Sequence, residues 1–167
     1  MNADIMTLYH GSNVQFEQID LSKAKPGKDF GKGFYVTTNK EQAISWATRN
    51  PNKTGFLYIY ELDDNSLLID FTNYKIRVLT TYNKEWADYI SLCRYEFFES
   101  GDDIVYDRMA DSRYQILSDA ISDYYFKLID LPEFLSYAKF ANLDYDQYCF
   151  KTQRVVDQLI LIERVAL

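Results

Sequence analysis

Histidine, cysteine, proline and glycine are all scarce in this chain: one His, two Cys, three Pro and six Gly in 167 residues. Each scarcity removes a class of protein. One His and two Cys cannot complete a four-ligand zinc site without carboxylates, so no metal is expected. Cys93 and Cys149 form no disulfide framework, which points to a reducing, cytoplasmic compartment. No run approaches the ~18 apolar residues that cross a membrane, so no membrane partner is expected. The amino terminus, Met1-Asn2-Ala3-Asp4, lacks the basic stretch and apolar core of a secretion signal, and the sequon Asn52-Lys53-Thr54 therefore reads as chance. Cations are outnumbered too: 18 Lys+Arg against 25 Asp+Glu give a formal charge of −7. Phosphate backbones need clustered cations, so general nucleic-acid binding is disfavoured and only a local basic groove is left open.

Aromatic residues are abundant instead, with 15 Tyr, 11 Phe and 2 Trp. The 47% hydrophobic and 26% charged shares are ordinary globular usage. The length fits one domain, residues 1–167, able to bury roughly two-thirds of its unfolded surface without a metal or disulfide.

Periodicity predicts the elements. Ile5 to His10 reads as a strand ended by Gly11-Ser12-Asn13. Gly33 to Thr38 reads as a second, with Phe34 and Val36 on one face and Tyr35 on the other. Asn39 should cap a helix carrying Ala43, Ile44 and Ala47, stopped by Asn50-Pro51-Asn52. Strands are expected over 56–62, 67–71, 103–106, 147–151 and 159–165. Helices are expected over 84–98, 111–128 and 132–140, with one helical turn over 152–157. The apolar stripe of the helix over 84–98 is Trp86, Tyr89, Ile90, Cys93 and Phe97. Strands at both ends with helices between them make an α+β order.

Four segments carry candidate chemistry. His10, the only histidine, ends a strand before a Gly turn, where an imidazole can meet a ligand hydroxyl or simply satisfy a turn carbonyl. Residues 25–35, Lys-Pro-Gly-Lys-Asp-Phe-Gly-Lys-Gly-Phe-Tyr, place Lys25, Lys28 and Lys32 among three glycines. That mixture suits an anionic phosphate or a solvated loop, and it lacks the Gly-Lys-Ser/Thr ending of a Walker loop. Tyr35 faces away from Phe34 and Val36, toward a flat ligand ring or plain packing. In Gln147-Tyr148-Cys149-Phe150-Lys151, alternation puts Gln147, Cys149 and Lys151 on one face and Tyr148 and Phe150 on the core face. Cys149 has no histidine left to pair with and reads as a packed thiol. Asp107, Arg108 and Asp111 sit at a strand-to-helix turn, where they contact a ligand or pair with one another.

Tyr9-His10-Gly11-Ser12, Phe30-Gly31-Lys32-Gly33-Phe34-Tyr35-Val36-Thr37-Thr38 and Gln147-Tyr148-Cys149-Phe150-Lys151-Thr152 together resemble the three core motifs of ADP-ribosyltransferases. More closely, residues 6 to about 163 resemble a small bacterial family, domain-of-unknown-function family 3990, placed in that superfamily. The resemblance implies a single-domain ADP-ribosyltransferase-like split β-sheet with flanking helices and a cleft for NAD. His10 matches the histidine on the adenosine-side ribose. Gly11, beside Ser12, matches the residue whose backbone holds the nicotinamide amide. Tyr35 matches the tyrosine that stacks on nicotinamide, and Lys28 or Lys32 would reach the pyrophosphate. Gln147 falls where transferring enzymes commonly carry Glu. The expected activity is mono-ADP-ribosyl transfer from NAD to a protein or nucleic-acid acceptor, by a bacterial toxin or effector-like protein with a neutralising antitoxin partner.

Breaking the nicotinamide–ribose bond leaves a cationic sugar that a carboxylate stabilises. Gln147 can bond the ribose hydroxyl but carries no charge. Asp146 should point to the opposite face, and Asp107 and Asp111 are the candidate substitutes. Two alternatives stand beside the enzyme: a module that binds NAD or ADP-ribose without turnover, and an interaction protein with a vestigial cleft.

Overall fold

β1 (Ile5–Ser12) pairs antiparallel with β3 (Phe56–Asp63), and β7 (Ile160–Ala166) pairs antiparallel along the other side of β3. A second sheet holds β2 (Phe34–Val36), β6 (Asp146–Phe150), β5 (Ile104–Arg108) and β4 (Ile76–Leu79), in that order. Its β4–β5 pair is parallel and its other pairs are antiparallel. The computed structural model describes residues 5–63, 74–108, 115–141 and 146–167. Within them the chain is a mixed α+β domain. None of its described helices is long and apolar enough to cross a membrane.

Among the described residues, one isolated backbone bridge joins the two sheets. Tyr9 N–H donates to Thr37 O (2.8 Å) and Thr37 N–H donates to Tyr9 O (2.9 Å). Beyond it no further β1–β2 backbone pair forms among the described residues, and the His10 side chain reaches across to Tyr35 O.

Strand alternation sorts the core into two clusters. Phe34, Val36 and Phe150 turn toward Leu8, Tyr58, Tyr60, Val155 and Val156, filling the space between the sheets. Cys149 and Val105 turn the other way and pack with Trp86, Ile90, Cys93, Ile121 and Phe134. These last come from α2 (Lys84–Tyr95), α3 (Gln115–Tyr125) and α4 (Leu131–Ala141). Burying each large apolar side chain stabilises the fold by roughly 1.5–3 kcal/mol. α1 (Lys40–Ala47) lies on β1, capped as expected by Asn39, whose side chain accepts from Gln42 N–H. A short 3₁₀ turn spans Leu21–Lys23, and α5 (Gln153–Val156) is the expected single helical turn.

Several expectations need correction. β1 runs through Gly11 and Ser12, because both keep their pairing with β3 (Gly11 opposite Leu57, Ser12 opposite Phe56). β5 and β6 each shift by a residue or more, to Ile104–Arg108 and Asp146–Phe150. The strand expected over 33–38 is shorter, Phe34–Val36. β4 was not anticipated: its Ile-Arg-Val-Leu sequence is too short to show a clear period. α2 ends at Tyr95 rather than Phe98. Phe98 N–H turns back to Leu92 O, and Phe97 adopts the left-handed conformation (φ 55°) and stands exposed. The break lets Glu99 reach Lys151 and the backbone of Lys32. The strand expected over 67–71 and the helix start at 111–114 lie outside the described residues.

Candidate functional site

Where β1 and β2 diverge there is a cavity of about 470 Å³. This is within the usual span of small-molecule sites, roughly 300–1,000 Å³. His10 and Gly11 come from β1, Tyr35 from β2 and Gln147 from β6; Gly27, Lys28 and Asp29 come from the glycine- and lysine-bearing loop. Trp46 and Arg49 close it from α1 and its end, and Arg94 and Tyr95 from the end of α2.

His10 is half-buried, stacked on Phe34 (centroids 4.2 Å apart) and edged by Phe16. Its Nδ1 lies 2.6 Å from Tyr35 O. A carbonyl only accepts, so Nδ1 carries the proton and Nε2 is the acceptor of the neutral ring. Burial among these aromatics lowers its pKa from 6.5 to about 4, against the opposing effect of the Tyr35 carbonyl and with a small push from Lys28.

Gly11 is fixed by packing. A Cβ there would lie 1.8 Å from Ala43 O and 2.9 Å from Ala47 N, so only glycine lets β1 cross α1 this closely. Ser12 is not among the residues lining the cavity; its Oγ accepts from Val14 N–H (3.0 Å) in a local turn.

Tyr35 anchors the loop. Its hydroxyl donates to Gly31 O (2.6 Å) and accepts from Phe30 N–H (3.1 Å). Burial pushes its pKa well up. The Lys28 ammonium lies 5.3 Å from the centroid of its ring, a cation–π contact. Partial desolvation there lowers the Lys28 pKa. Lys32 does not line the cavity. It is exposed, its N–H donates to Glu99 (2.7 Å), and its carbonyl accepts from Lys151 Nζ (2.8 Å). Lys151 also donates to Phe30 O (2.5 Å) and pairs with Glu99 (2.8 Å). One buried ammonium therefore gathers both ends of the Phe30–Lys32 turn.

Gln147 is 3% exposed and its Nε2 donates to Asp29 Oδ2 (3.3 Å). Asp29 in turn is held by Arg94, with Nε–Oδ1 at 2.6 Å and Nη2–Oδ1 at 2.5 Å. Asp146 faces the other way, as alternation predicts. It accepts from the Thr37 hydroxyl (2.8 Å), Thr38 N–H (3.0 Å) and the Thr38 hydroxyl (2.6 Å), tying β6 to the β2–α1 turn. Asp107 lies opposite Gln147 in the β5–β6 pair, yet it is wholly buried and accepts from the Trp86 indole N–H behind the cavity wall. Asp111 and the Arg108 side chain lie outside the described residues. Cys149 is fully buried and its thiol is pushed up to about 12 by desolvation, which makes it packing rather than a nucleophile.

The structure thus brings together His10, Gly11, Lys28, Tyr35 and Gln147, and leaves Ser12 and Lys32 aside. Sequence reasoning missed Asp29, Trp46, Arg49, Arg94 and Tyr95. Asp29 stood in the lysine-bearing loop, and a lone acid between Lys28 and Lys32 was a usable signal. Arg94 carried none, because its partner Asp29 lies 65 residues away. Among the described residues, charge at the wall is Lys28, Arg49 and Arg94 against Asp29, three cations to one carboxylate, in a chain of net −7. Such a pocket favours an anionic ligand.

The family model described as "Protein of unknown function (DUF3990)" matches residues 6–161, a span that includes every cavity residue. Comparison with curated proteins gives no match.

Proposed function

We propose that this chain, which belongs to that family of unknown function, holds NAD in the His10–Tyr35–Gln147 cavity and transfers its ADP-ribosyl group, on an ADP-ribosyltransferase-like fold. The observation that carries the reading is convergence. His10, Tyr35 and Gln147, one from each of three motifs far apart in sequence, line one cavity with a cationic wall. Each has a role there. Tyr35 offers its ring to nicotinamide once Lys28 moves aside. The neutral His10 ring offers Nε2 to a ribose hydroxyl. Lys28 and Arg49 offer charge to the pyrophosphate, with Arg49 taking the place first given to Lys32. Gln147, with Nε2 committed to Asp29, offers its carbonyl oxygen to a second hydroxyl.

A second reading, an NAD or ADP-ribose binding module without turnover, is favoured by the uncharged Gln147. Label transfer separates the two. Purified protein is incubated with adenylate-labelled NAD and bacterial lysate, and the protein and nucleic-acid fractions are resolved. Label in one fraction, lost with Tyr35→Ala, supports the transferase and names the acceptor class. NAD binding with no label from the wild type and none from Gln147→Glu supports the module.

A further inference from the structure

We propose that the Asp29 carboxylate is the catalytic negative charge of this cavity, the part that neutral Gln147 leaves unfilled; the proposal rests on the NAD reading above. Among the described residues, two carboxylates flank Gln147. Asp107 is its cross-strand neighbour, but it is 0% exposed and bonded by the Trp86 indole, so no ligand in the cavity reaches it. Asp29 lines the cavity itself and is 8% exposed.

Its two oxygens are differently engaged. Oδ1 takes both contacts from Arg94, which supplies the counter-charge that a buried carboxylate requires. Oδ2 takes one long bond, 3.3 Å, from Gln147. Because a carboxylate only accepts, Nε2 of Gln147 must face Asp29 and its Oε1 must face the other way. Amide and carboxylate therefore act as one unit. Gln147 presents an acceptor for a ribose hydroxyl, and Asp29, bonded to it, presents charge on the same wall. The unit divides between two side chains what a single glutamate would do.

The step balances with water as the simplest acceptor. The bond from ribose C1′ to the nicotinamide nitrogen breaks, and its electron pair leaves on the nitrogen, giving neutral nicotinamide. The positive charge moves onto C1′ and the ring oxygen, opposite Asp29. A water oxygen gives a lone pair to C1′, and its proton passes to Asp29 and then to solvent. The sum is NAD⁺ plus water to ADP-ribose, nicotinamide and a proton. A hydroxyl or amine of a macromolecule takes the place of water in transfer.

Nicotinamide release is measured for the full chain as wild type, Asp29→Asn and Asp29→Asn/Gln147→Glu, with melting temperature and NAD affinity taken for each. Asp29→Asn is expected to lower kcat by about 100-fold or more while KM stays within about threefold. The double variant, which returns a carboxylate on the neighbouring side chain, is expected to recover part of the rate. Should Asp29→Asn not fold, Asp29→Asn/Arg94→Gln removes charge and counter-charge together and carries the same expectation for kcat. A kcat held within about threefold, or a loss confined to KM, overturns the proposal. NAD binding by the wild type without nicotinamide release overturns it too and leaves the binding reading intact. No NAD binding by the wild type removes the NAD reading first, and this proposal with it.

Discussion

Acidification should destabilise this protein through one residue whose contribution can be isolated. His10 is the only histidine in the chain. Folding buries its ring among Phe16, Phe34 and Tyr58 and lowers its pKa from 6.5 to about 4. The unfolded chain therefore binds a proton near pH 6.5 that the folded chain refuses until about pH 4. Between those values stability falls as pH falls, and the loss levels off below about pH 4. At about 1.4 kcal/mol per pH unit the interval is worth up to about 3 kcal/mol. The open cavity side of the ring makes that an upper value. Urea unfolding of the wild type and of His10→Asn, in steps from about pH 7 to pH 4, measures it. Asn keeps an N–H donor for Tyr35 O and does not titrate, so the difference between the two curves cancels the carboxylates. The wild type should lose about 2–3 kcal/mol more than the variant across this range. The imidazole Cε1–H resonance should titrate near pH 4. Parallel curves, or a midpoint at or above about pH 6, would refute the reasoning.

Other consequences are equally specific. Gly11→Ala drives a Cβ to 1.8 Å from Ala43 O, a backbone atom that cannot swing aside, so it should cost more than about 3 kcal/mol and lower Tm by about 6–12 °C in thermal melting. Lys151→Met strips the donor from Phe30 O and Lys32 O, and should destabilise by about 2–3 kcal/mol and raise hydrogen exchange over residues 28–33. Asp103 is held down to about 2 chiefly by its bond from Arg154, aided by Lys75 N–H and Thr152, so its stabilisation is present above about pH 4 and is lost as pH falls through about 2. Asp103→Asn should cost about 2 kcal/mol at neutral pH by urea unfolding, discounted for the exposed Arg154, and much less near pH 2. Cys93 and Cys149, both buried with thiols pushed up to about 12, should react with a thiol reagent at pH 8 only in denaturant.

Much of the site was legible because strands report their faces through a period of two. Tyr35 against Phe34 and Val36, and Gln147 against Tyr148 and Phe150, take the faces that alternation assigns. The Asn39 cap was legible for a similar reason, since a capping side chain needs only its own next three residues. The loop over 25–33 has no period, so nothing local separates Lys28, which turns into the cavity, from Lys32, which does not. Asp29 and Arg94 meet across 65 residues, a separation that no local pattern spans. The apolar stripe alone would have carried α2 on to Phe97. The chain instead leaves the helix after Tyr95, Phe97 takes the left-handed conformation, and Glu99 reaches Lys151, a tertiary arrangement that helix propensity does not report.

The central claim is that NAD occupies the cavity where β1 and β2 part. The single histidine sits on that cavity's wall, so its imidazole resonance is a built-in reporter. NAD is titrated into the wild-type protein while the His10 Cε1–H signal is followed. A saturable shift, with melting temperature rising in parallel, is predicted. A resonance that stays fixed to millimolar NAD would contradict the account, and a rise in melting temperature without that shift would place NAD elsewhere on the protein.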